Sequence, residues 1–529
     1  MLQATYSFED LKMSSRLIRD LISNSKEVKP LVDQFFDLDN IPKQIEKKKL
    51  SRINRGVLVD ALKRQNALLD LDTKANKNIE SLLKDSTYTI TTGHQLNLLT
   101  GPLYSIYKIA QCIVLTNDLN TRYPDNSFVP VFWMATEDHD FEEINHLHLF
   151  GQKISWEKEG QEDVVAGRIK PEDIKDFLKQ IEDKFQDPKA LEVIRVFTGF
   201  YRESENLSVA TRKLVHHLFK DTGLLIIDGD DRELKKLFKE VMIREVKEEV
   251  GYTEVMKTNE YLTENDYHEQ VYVRESNLFY IDESGVRQRI RKEQGDFFIE
   301  AKPIERNQLI AEITDHPERF SPNALYRPLY QEQILPNLAY IGGGGEIAYW
   351  LQIKALFEAH NITFPMLRVR DSVLLYSKDQ AQLLENLRLE LLDIKLGVHD
   401  IVKEIAMNES DADLQLTAAE ADLLKAKSKV VEKVHKVNPA LETMVEAEFT
   451  KMIKSIEKIE AKLIKAEKAK HEKTQKQLTR LRDKFFPDNG FQERHDNFLP
   501  FYLKDDQFVH KILSNLKPEN SPLIRTIEI

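Results

Sequence analysis

The chain contains 529 residues, of which 41% are hydrophobic and 31% charged, with only 18 Gly and 18 Pro. This composition supports a sizeable core and excludes disordered and collagen-like proteins, and the length favours about two to four domains. The 76 basic and 88 acidic residues give a net charge of −12, which argues against a dedicated binder of nucleic acid or anionic membranes. We therefore expect no nucleic-acid partner and no membrane partner.

The cysteine content and the N-terminus indicate the compartment. A single cysteine, Cys112, excludes an intramolecular disulfide and a cysteine-based zinc site. It lies among Ile109, Ala110 and Ile113, which favours a buried structural thiol over a nucleophile. The start MLQATYSFED lacks the features of a signal peptide, and no stretch approaches about 18 uninterrupted apolar residues. We expect a soluble, cytoplasmic protein.

Five short apolar runs follow a helical pattern at residues 1–85. Each run has strand character and ends in polar or glycine-rich residues, and helical patterns separate the runs. Continuous apolar strands that alternate with helices predict an α/β fold with a parallel sheet covered on both faces. Ligands bind at the carboxyl ends of such strands. The runs are YTITTGHQ (88–95), VPVFWMATEDHD (129–140), GLLIIDGDD (223–231), NLAYIGGGGE (337–346) and FPMLRVRDS (364–372).

The spacing of the strands predicts insertions in this core, which we place at 1–375. The gaps between the second and third runs and between the third and fourth are much longer than a plain crossover needs. We therefore expect insertions at about 151–215 and 232–320. Alternating residues at 268–300 predict that the second insertion is partly a small β-sheet.

Residues 376–485 have the pattern of a protruding antiparallel coiled coil. Apolar residues at steps of three and four, from Leu384 to Ile405, predict a first helix with a continuous seam. A second helix is predicted at 412–437. Asn438 and Pro439 are typical of a helix start, so a third helix follows at 439–485. The seam positions of the first helix are Leu384, Leu387, Leu391, Ile394, Val398, Ile401 and Ile405.

The third helix carries Phe449, Met452, Ile456, Ile459 and Leu463 in the same rhythm, and FFPDNG (485–490) ends it. Its Lys and Arg residues leave a nucleic-acid arm open, but a solvated charged face is the favoured interpretation. Exposed seam surface favours dimerisation, so we expect a homodimer formed through the coiled coil. The segment 486–529 is apolar enough to return to the core.

The first cluster of chemically capable residues is TTGHQLNLLTGPLYSIYK (91–108), where a strand ends and a helix soon begins. Free N–H groups at a helix start favour an anion. We assign His94 and Lys108 to catalysis, although a loop histidine that satisfies backbone groups is the alternative. The substrate-binding residues that we assign here are Thr92, Gly93, Gln95 and Tyr104.

The second cluster, ATEDHDFEEINHLHLF (135–150), concentrates carboxylates and imidazoles directly after an apolar strand. Its spacing matches no standard zinc signature, so we predict no metal site. A structural network is the alternative to function. Our predictions are catalysis for Glu137, Asp138 and His139 and substrate binding for Asp140, and the other members are Glu142, Glu143, His146 and His148.

The third cluster, residues 321–358, contains four consecutive glycines (Gly342 to Gly345) between a strand and a helix. Glycines let backbone N–H groups approach a ligand closely, but the sequence is neither a P-loop nor a dinucleotide fingerprint. We predict that Gly343, Gly344 and Gly345 bind a cofactor. The predicted substrate-binding residues of this region are Arg327, Glu346, Tyr349, Trp350 and Gln352.

Two further groups end core strands. Arg368 and Arg370 lie on the last strand and are candidates to bind a substrate carboxylate, with Arg370 preferred. Asp228, Asp230 and Asp231 close the third strand. We assign Asp228 to a cofactor ribose, with helix capping as the alternative for at least one of the three.

Taken together, TTGHQLNLLTGPLYSIYK, VPVFWMATEDHDFEEINH, GGGGEIAYWLQIKALFE and QERHDNFLPF resemble the bacillithiol biosynthesis BshC family of cysteine-adding enzymes. The resemblance spans nearly the whole chain in the right order. It implies a Rossmann-like core akin to class I nucleotidylyltransferases, connecting-peptide insertions and a coiled-coil domain used in dimers. The implied activity is a ligase that joins cysteine to glucosaminyl-malate through an amide, as the last step of bacillithiol synthesis.

The resemblance also bears on the mechanism. Related nucleotidylyltransferases have an HxGH motif after the first strand; His94 matches its second histidine, whereas Thr91 replaces the first. The departure at Thr91 means that the analogy alone does not establish adenylation. The sequence leaves the cofactor open, and ATP or another adenine nucleotide is the candidate activator. A non-catalytic nucleotide-binding scaffold of thiol biosynthesis is the main alternative, and a nucleotidyltransferase acting on RNA is a weaker one.

Overall fold

The computed structural model describes residues 5–158, 163–410 and 414–529. Residues 1–4 of the N-terminal segment, 159–162 of the first predicted insertion and 412–413 of the predicted second coiled-coil helix lie outside the described residues. The chain divides into two units. Of the described residues, the core unit contains those up to Ser377 together with Gln492–Ile529, and the helical unit contains those within Lys378–Phe491. No helix of the described ranges is long and apolar enough to cross a membrane.

The strands all belong to the core unit. They are β1 (Thr5–Tyr6), β2 (Thr87–His94), β3 (Ser127–Met134), β4 (His146–Leu149), β5 (Gln152–Ser155), β6 (Leu225–Asp228), β7 (Leu278–Ile281), β8 (Arg287–Glu293), β9 (Asp296–Ile299), β10 (Lys302–Ile304), β11 (Phe320–Pro322), β12 (Asn337–Gly342), β13 (Met366–Val369), β14 (Ser372–Tyr376) and β15 (Ile524–Glu528).

The helices occur in both units. Those up to Ala359 are α1 (Arg16–Ile22), α2 (Ile41–Lys48), α3 (Arg55–Gln65), α4 (Thr73–Ser81), α5 (Tyr104–Arg122), α6 (Phe141–Ile144), α7 (Lys175–Glu182), α8 (Pro188–Arg202), α9 (Leu207–Leu218), α10 (Arg232–Glu248), α11 (Val250–Glu264), α12 (Arg306–Asp315), α13 (Arg327–Ile334), α14 (Gly344–Gln352) and α15 (Lys354–Ala359). The helical unit contains α16 (Lys378–Leu387), α17 (Leu391–Leu396), α18 (Val398–Glu409), α19 (Thr417–Val437), α20 (Glu442–Lys470) and α21 (Glu472–Phe485), and α22 (Leu499–Tyr502) and α23 (Phe508–Asn515) follow in the core unit.

The central sheet has five parallel strands in the order β13-β12-β2-β3-β6. These are the five strands that the apolar runs predict. Along β3, Val131 and Trp133 belong to one hydrophobic cluster and Phe132 and Met134 to another. Because successive side chains of a strand point to opposite faces, both faces of the sheet are buried. The α/β prediction is confirmed.

The order of the strands brings the predicted polar segments together. The chain runs from β2 to β3 and β6 on one side, and then returns to place β12 and β13 on the other side of β2. Strand order therefore reverses at β2, and the crevice at such a reversal is where α/β sheets bind ligands. Residues 93–95 lie at the end of β2, and residues 135–140 and 343–346 follow β3 and β12, all at the same edge of the sheet.

The long connections contain additional structure. Between β3 and β6 lie the antiparallel β4–β5 hairpin and α6 to α9. Between β6 and β12 lie α10 to α13 and an antiparallel sheet in the order β10-β9-β8-β7-β11. The first strand of this sheet begins at Leu278. The prediction of a small β-sheet at 268–300 is therefore confirmed for the part of that range that starts at Leu278. The N-terminal segment is helical as predicted, except that β1 pairs with β15 near the C-terminus.

The helical unit contains the predicted antiparallel helix pair. Helices α19 and α20 are joined by a short turn in which the Asn438 side chain accepts a hydrogen bond from the Ala440 N–H at 3.0 Å. Contacts between Lys427 and Glu446 and between Leu416 and Glu460 run in opposite directions along the two helices. The prediction that Asn438 and Pro439 begin a new helical segment is confirmed.

The prediction of one continuous first helix is wrong. The segment is split into α16, α17 and α18 because Arg388 has φ of 54° and Gly397 has φ of 137°, neither of which an α-helix tolerates. Leu384, Leu391 and Ile394 are buried as the heptad predicts. After Gly397, Ile401 is buried as predicted, but the seam positions Val398 and Ile405 are only half-buried and Val402 and Ala406 are buried instead, so the predicted register is kept only at Ile401 in α18. The third predicted helix is likewise divided, with α20 ending at Lys470.

Candidate active site

A cavity of about 610 Å³ lies at the carboxyl edge of the central sheet, entirely within the core unit. Segments after β2, β3, β12 and β13 contribute to its wall. The predicted site residues that line it are Gly93, His94, Gln95, Tyr104, Lys108, Glu137, Asp138, His139, Arg327, Gly343, Gly344, Gly345, Glu346, Tyr349 and Arg370.

A buried ion pair joins the first and third clusters. The Lys108 ammonium, carried by α5, donates to the Gly93 carbonyl and to Glu346 at 2.6 Å. Glu346 also accepts from the Tyr340 hydroxyl and, at 3.2 Å, from the Gly343 N–H. Although burial opposes its ionisation, the Lys108 ammonium holds the pKa of Glu346 below its ordinary value. This pair fixes the ends of β2 and β12 relative to each other.

The three glycines at the start of α14 are not required by backbone conformation, because none has a positive φ. A Cβ atom at Gly343, Gly344 or Gly345 would meet no atom closer than 3.9, 3.6 and 4.0 Å, respectively. The protein therefore has room for side chains here. Their absence leaves open the N–H groups of Gly344 and Gly345 at the cavity wall, which suits an anionic ligand, whereas the Gly343 N–H is engaged by Glu346.

His94 ends β2 at the cavity. Its Nε2 atom is buried and has no hydrogen-bond partner among the described residues. Its ring packs edge-on against Tyr104, with 5.2 Å between the ring centroids. Burial and then the neighbouring Lys108 ammonium lower the pKa of His94 to about 3. His94 is therefore a neutral imidazole at pH 7, with one buried nitrogen available to a ligand.

The carboxylates of the second cluster differ in their partners. Glu137 lies 2.8 Å from Lys235, which also contacts Asp230 at 2.9 Å. Burial raises the pKa of Glu137. Asp138 is about one-third exposed and accepts from Gln95 at 2.6 Å and from its neighbour's N–H at 2.8 Å. Glu137 is thus held in a buried charge network, whereas Asp138 faces the cavity with weaker restraint.

The predicted arginines also differ. Arg370 is buried and donates twice to Glu493, at 2.9 and 2.6 Å. Arg327 donates to Gln331 at 3.0 Å and to the Tyr349 hydroxyl at 3.3 Å. Within the described ranges no carboxylate lies within ion-pair distance of Arg327. Arg327 therefore retains charge for a ligand, while the charge of Arg370 is neutralised.

Arg368 lies away from the cavity and pairs with Asp371 at 3.1 Å. Cys112 is buried as predicted; its thiol donates to the Ile90 carbonyl, and burial raises its pKa to about 12. Across the described residues, no group of three or more His, Cys, Asp or Glu side chains has the geometry to hold a metal ion.

Five predicted site residues do not line the cavity. Thr92 is buried in β2, where its hydroxyl donates to the Ile341 carbonyl. Trp350 is buried in α14 and stacks on Tyr340 with 4.4 Å between ring centroids. Asp140 is exposed and caps α6 by accepting from the Glu143 N–H at 3.1 Å.

The other two residues of this group support the cavity from behind. Gln352 accepts from the N–H groups of Gln270 and Val271 at 3.2 and 3.1 Å, so it anchors a segment that forms part of the wall. Asp228 accepts from Thr136 and from Ser208, and its carboxylate is therefore engaged by the protein rather than directed to a ligand. Its neighbour Asp231 caps α10, which was the alternative for one of these aspartates.

Sequence reasoning missed two arginines of the cavity wall. Arg287, on β8, is buried, lies 4.0 Å from the Phe279 ring centroid and contacts His139 Nδ1 at 3.1 Å. Burial lowers the pKa of His139, so its ring is favoured in the neutral form. Arg494 reaches the cavity from the segment that follows the helical unit. The alternating pattern of β8 and the run QERHDN were visible, but neither indicates contact with the central sheet.

Comparison with known proteins supports the family resemblance. The model of the N-terminal Rossmann-like domain of bacillithiol biosynthesis BshC matches residues 5–371, and that of its C-terminal coiled-coil domain matches residues 373–522. A protein of Flavobacterium johnsoniae named "Putative cysteine ligase BshC" is 40% identical over 97% of both chains. Relatives of the same name from Cytophaga hutchinsonii and Christiangramia forsetii are 37% and 35% identical over 96% and 97% of both chains. The chain belongs to the bacillithiol biosynthesis BshC family.

Proposed function

We propose that the cavity joins the carboxyl group of cysteine to the amine of glucosaminyl-malate, forming the amide that completes bacillithiol. The names of the curated relatives support a cysteine ligase. The observation that carries the proposal is one cavity in which a partly exposed carboxylate, a glycine-lined helix start and a cation without a carboxylate partner are combined. These features suit an amine, an activating phosphate and an acidic substrate, respectively.

The carboxyl group of cysteine is a poor electrophile and requires activation. ATP or another adenine nucleotide, when bound, supplies the phosphoryl or adenylyl group that makes one carboxyl oxygen a leaving group. The residues that would hold its phosphates are Gly344 and Gly345, with Gly343 beside them, where a Cβ would otherwise occupy the open space. The amine nitrogen then bonds to the activated carbon, and the phosphate or AMP departs.

Asp138 is the general base in this proposal. The attacking amine must lose a proton, and a carboxylate at hydrogen-bond distance accepts it. Glu137 is less suited because its contact with Lys235 at 2.8 Å occupies it within the buried network. Asp138 is oriented by Gln95, which donates to it at 2.6 Å and to Glu143 at the same distance.

Charge on the substrates and on the reacting centre is met by separate residues. Neutral His94 donates a hydrogen bond to the developing oxyanion through its buried nitrogen, because Lys108 is already engaged by Glu346 and Gly93. Arg327 binds a malate carboxylate. Arg370, which pairs with Glu493, instead supports the wall beside Tyr104, whose ring centroid lies 5.2 Å from its guanidinium carbon.

The purified chain tests this proposal directly. Cysteine, glucosaminyl-malate and ATP are supplied, the thiol product is labelled and measured by mass spectrometry, and nucleotide products are separated. AMP with pyrophosphate indicates adenylation, whereas ADP with phosphate indicates phosphorylation. Asp138→Asn is expected to lower kcat by about 10² to 10³, and Asp125→Asn, at an exposed residue outside the cavity, is expected to leave it unchanged. Nucleotide binding without any amide product would favour the scaffold alternative.

We also propose that the chain forms a homodimer through the helical unit. Met444, Met452, Ile459 and Leu463 of α20 are each at least 40% exposed. Their spacings of eight, seven and four residues place them on one side of the helix. An apolar stripe of this kind is suited to an identical stripe related by two-fold symmetry.

Light scattering tests the dimer. The double substitution Met452→Lys and Ile459→Lys is expected to halve the measured mass, because two cations would have to be buried in the interface. Lys454→Ala, on the opposite side of the same helix, is the matched control and should leave the mass unchanged. A wild-type mass equal to that of one chain would refute the proposal.

A further inference from the structure

The segment Gln492–Asn497, which follows the helical unit, is anchored beside the candidate active site by its side chains. Gln492 accepts from the Leu375 N–H at 2.9 Å and donates to the Leu375 carbonyl at 3.1 Å. These two bonds attach the segment to β14 as a paired strand would. The backbone position of the following residues is therefore fixed by the core unit itself.

Glu493 extends this attachment to the end of β13. It is 1% exposed, and its carboxylate accepts from Ser372 at 2.9 Å and from the Val373 N–H at 3.1 Å, in addition to its bidentate pair with Arg370. A buried carboxylate with this many partners is firmly held. The Glu493 carboxylate thus neutralises Arg370, to which the sequence analysis assigned a role in substrate binding.

The end of the segment holds the turn between β2 and α5. Leu99 and Thr100 have φ of 47° and 62°, a left-handed conformation that is strained for residues other than glycine. The buried Asn497 amide donates to the carbonyls of Leu99 and Gly101 at 2.9 and 2.7 Å. The turn that follows the candidate catalytic strand is therefore supported from the far end of the chain.

Arg494 lies between these two anchors and is different from them. It lines the cavity and is exposed. Within the described ranges it has no hydrogen bond or ion pair with another residue, whereas Arg370 and Lys108 both have acidic partners. A guanidinium that is held at a cavity by a rigid backbone and has no protein acceptor is suited to an oxyanion of a ligand, which it can bind in a bidentate manner.

We propose that Arg494 is a specificity-determining residue that binds an oxyanion of the substrate, and that the anchored segment Gln492–Asn497 exists to place it there. The inference rests on the proposed function for the identity of the ligand. The oxyanion belongs either to a carboxylate of the malyl group or to a phosphate of the activating nucleotide. The malyl carboxylate is favoured because the glycine-lined start of α14 already suits phosphate.

Steady-state kinetics of amide formation test the assignment. Arg494→Gln is expected to raise KM for glucosaminyl-malate about tenfold or more, with KM for cysteine unchanged, because a charge-assisted contact is lost. Arg494→Lys keeps the positive charge, so it should raise this KM less than Arg494→Gln does. Methyl glucosaminide, which has the amine but no malyl group, should be used equally poorly by wild type and Arg494→Gln. The control is Arg480→Gln, at an exposed arginine of the helical unit.

The possible results are distinct. A rise in KM for ATP in place of glucosaminyl-malate would support the oxyanion contact and assign it to the nucleotide. Unchanged KM values for both would overturn the role of Arg494 while leaving the proposed function intact. If wild type forms no amide, the proposed function fails. Calorimetric titration of L-malate and of pyrophosphate into wild type and Arg494→Gln then decides whether Arg494 binds an oxyanion, and equal affinities for both ligands would refute it.

Discussion

The cavity wall has two regions, which differ in whether their charged side chains are paired with other charged side chains of the protein. In the paired region, Lys108 and Glu346 neutralise each other, and Tyr340 adds a further hydrogen bond. In the open region, Asp138 and Arg494 line the cavity. Among the described residues, Asp138 has no Lys or Arg within ion-pair distance, and Arg494 has no carboxylate within that distance. Buried charges must be partnered to be tolerated, so the first region maintains geometry and the second remains available to ligands. Charge density alone does not distinguish these roles.

Breaking the paired region should have the largest effect on stability. Lys108→Met leaves the Glu346 carboxylate without its cation and is expected to lower the free energy of unfolding by about 3 kcal/mol, with loss of turnover. All three tryptophans, Trp133, Trp156 and Trp350, are buried in the core unit, so fluorescence in a urea titration reports this unit. The double variant Lys108→Met and Glu346→Gln should recover part of the loss. A single variant as stable as wild type would contradict the assignment.

His94, at the boundary of the two regions, should produce a pH-dependent effect. Its pKa falls from an ordinary 6.5 to about 3, so below pH 6.5 the unfolded chain binds a proton that the folded chain does not. The free energy of unfolding therefore decreases as pH falls from about 6.5 towards 3. Between pH 7 and pH 4, wild type should lose about 3 kcal/mol more than His94→Gln.

The control for His94 is His510→Gln, which replaces an exposed histidine of the core unit and should follow wild type. Parallel stability curves for wild type and His94→Gln would show that the imidazole titrates normally. The difference between the two curves isolates His94 from other histidines with lowered pKa values, such as His148 and His360.

The sequence predicts the sheet well because its core strands are short, mostly apolar or threonine-rich runs that are buried along nearly their whole length. Its carboxyl-end segments therefore fall at one edge, as expected. Side-chain orientation within helices was less predictable: Tyr349 lines the cavity, whereas adjacent Trp350 is buried behind it. Partners distant in sequence were not predictable at all. Nothing local to Arg370 indicates that Glu493, 123 residues later, neutralises it.

The same limit applies to the helical unit. A three-and-four spacing identifies apolar positions but does not show where the backbone leaves the helix. Gly397 lies between two seam positions, and its φ of 137° interrupts a pattern that the heptad continues across. The split of this helix is therefore a backbone property that apolar periodicity alone does not encode.

The open region can be tested without disturbing the fold by filling its glycine-lined wall. Gly345→Ala introduces a Cβ whose nearest neighbour is 4.0 Å away, so the protein should fold normally. The methyl group is expected to weaken nucleotide binding about tenfold by keeping phosphate from the backbone N–H groups. Calorimetric titration with ATP measures this. Gly56→Ala, in α3 and away from the cavity, is the control, and equal ATP affinity in all three proteins would show that phosphate binds elsewhere.

The smallest effect should come from Asp140, which has the same chemistry as Asp138 but a different position. Asp140 is exposed and accepts one hydrogen bond from the Glu143 N–H as the cap of α6. Asp140→Ala should therefore lower the free energy of unfolding by less than about 1 kcal/mol and leave kcat within about twofold. Asp140→Asn, which still caps, should match wild type. A loss of kcat comparable with that of Asp138→Asn would extend the open region to Asp140 and would show that exposure to the cavity in the free protein does not delimit the catalytic carboxylates.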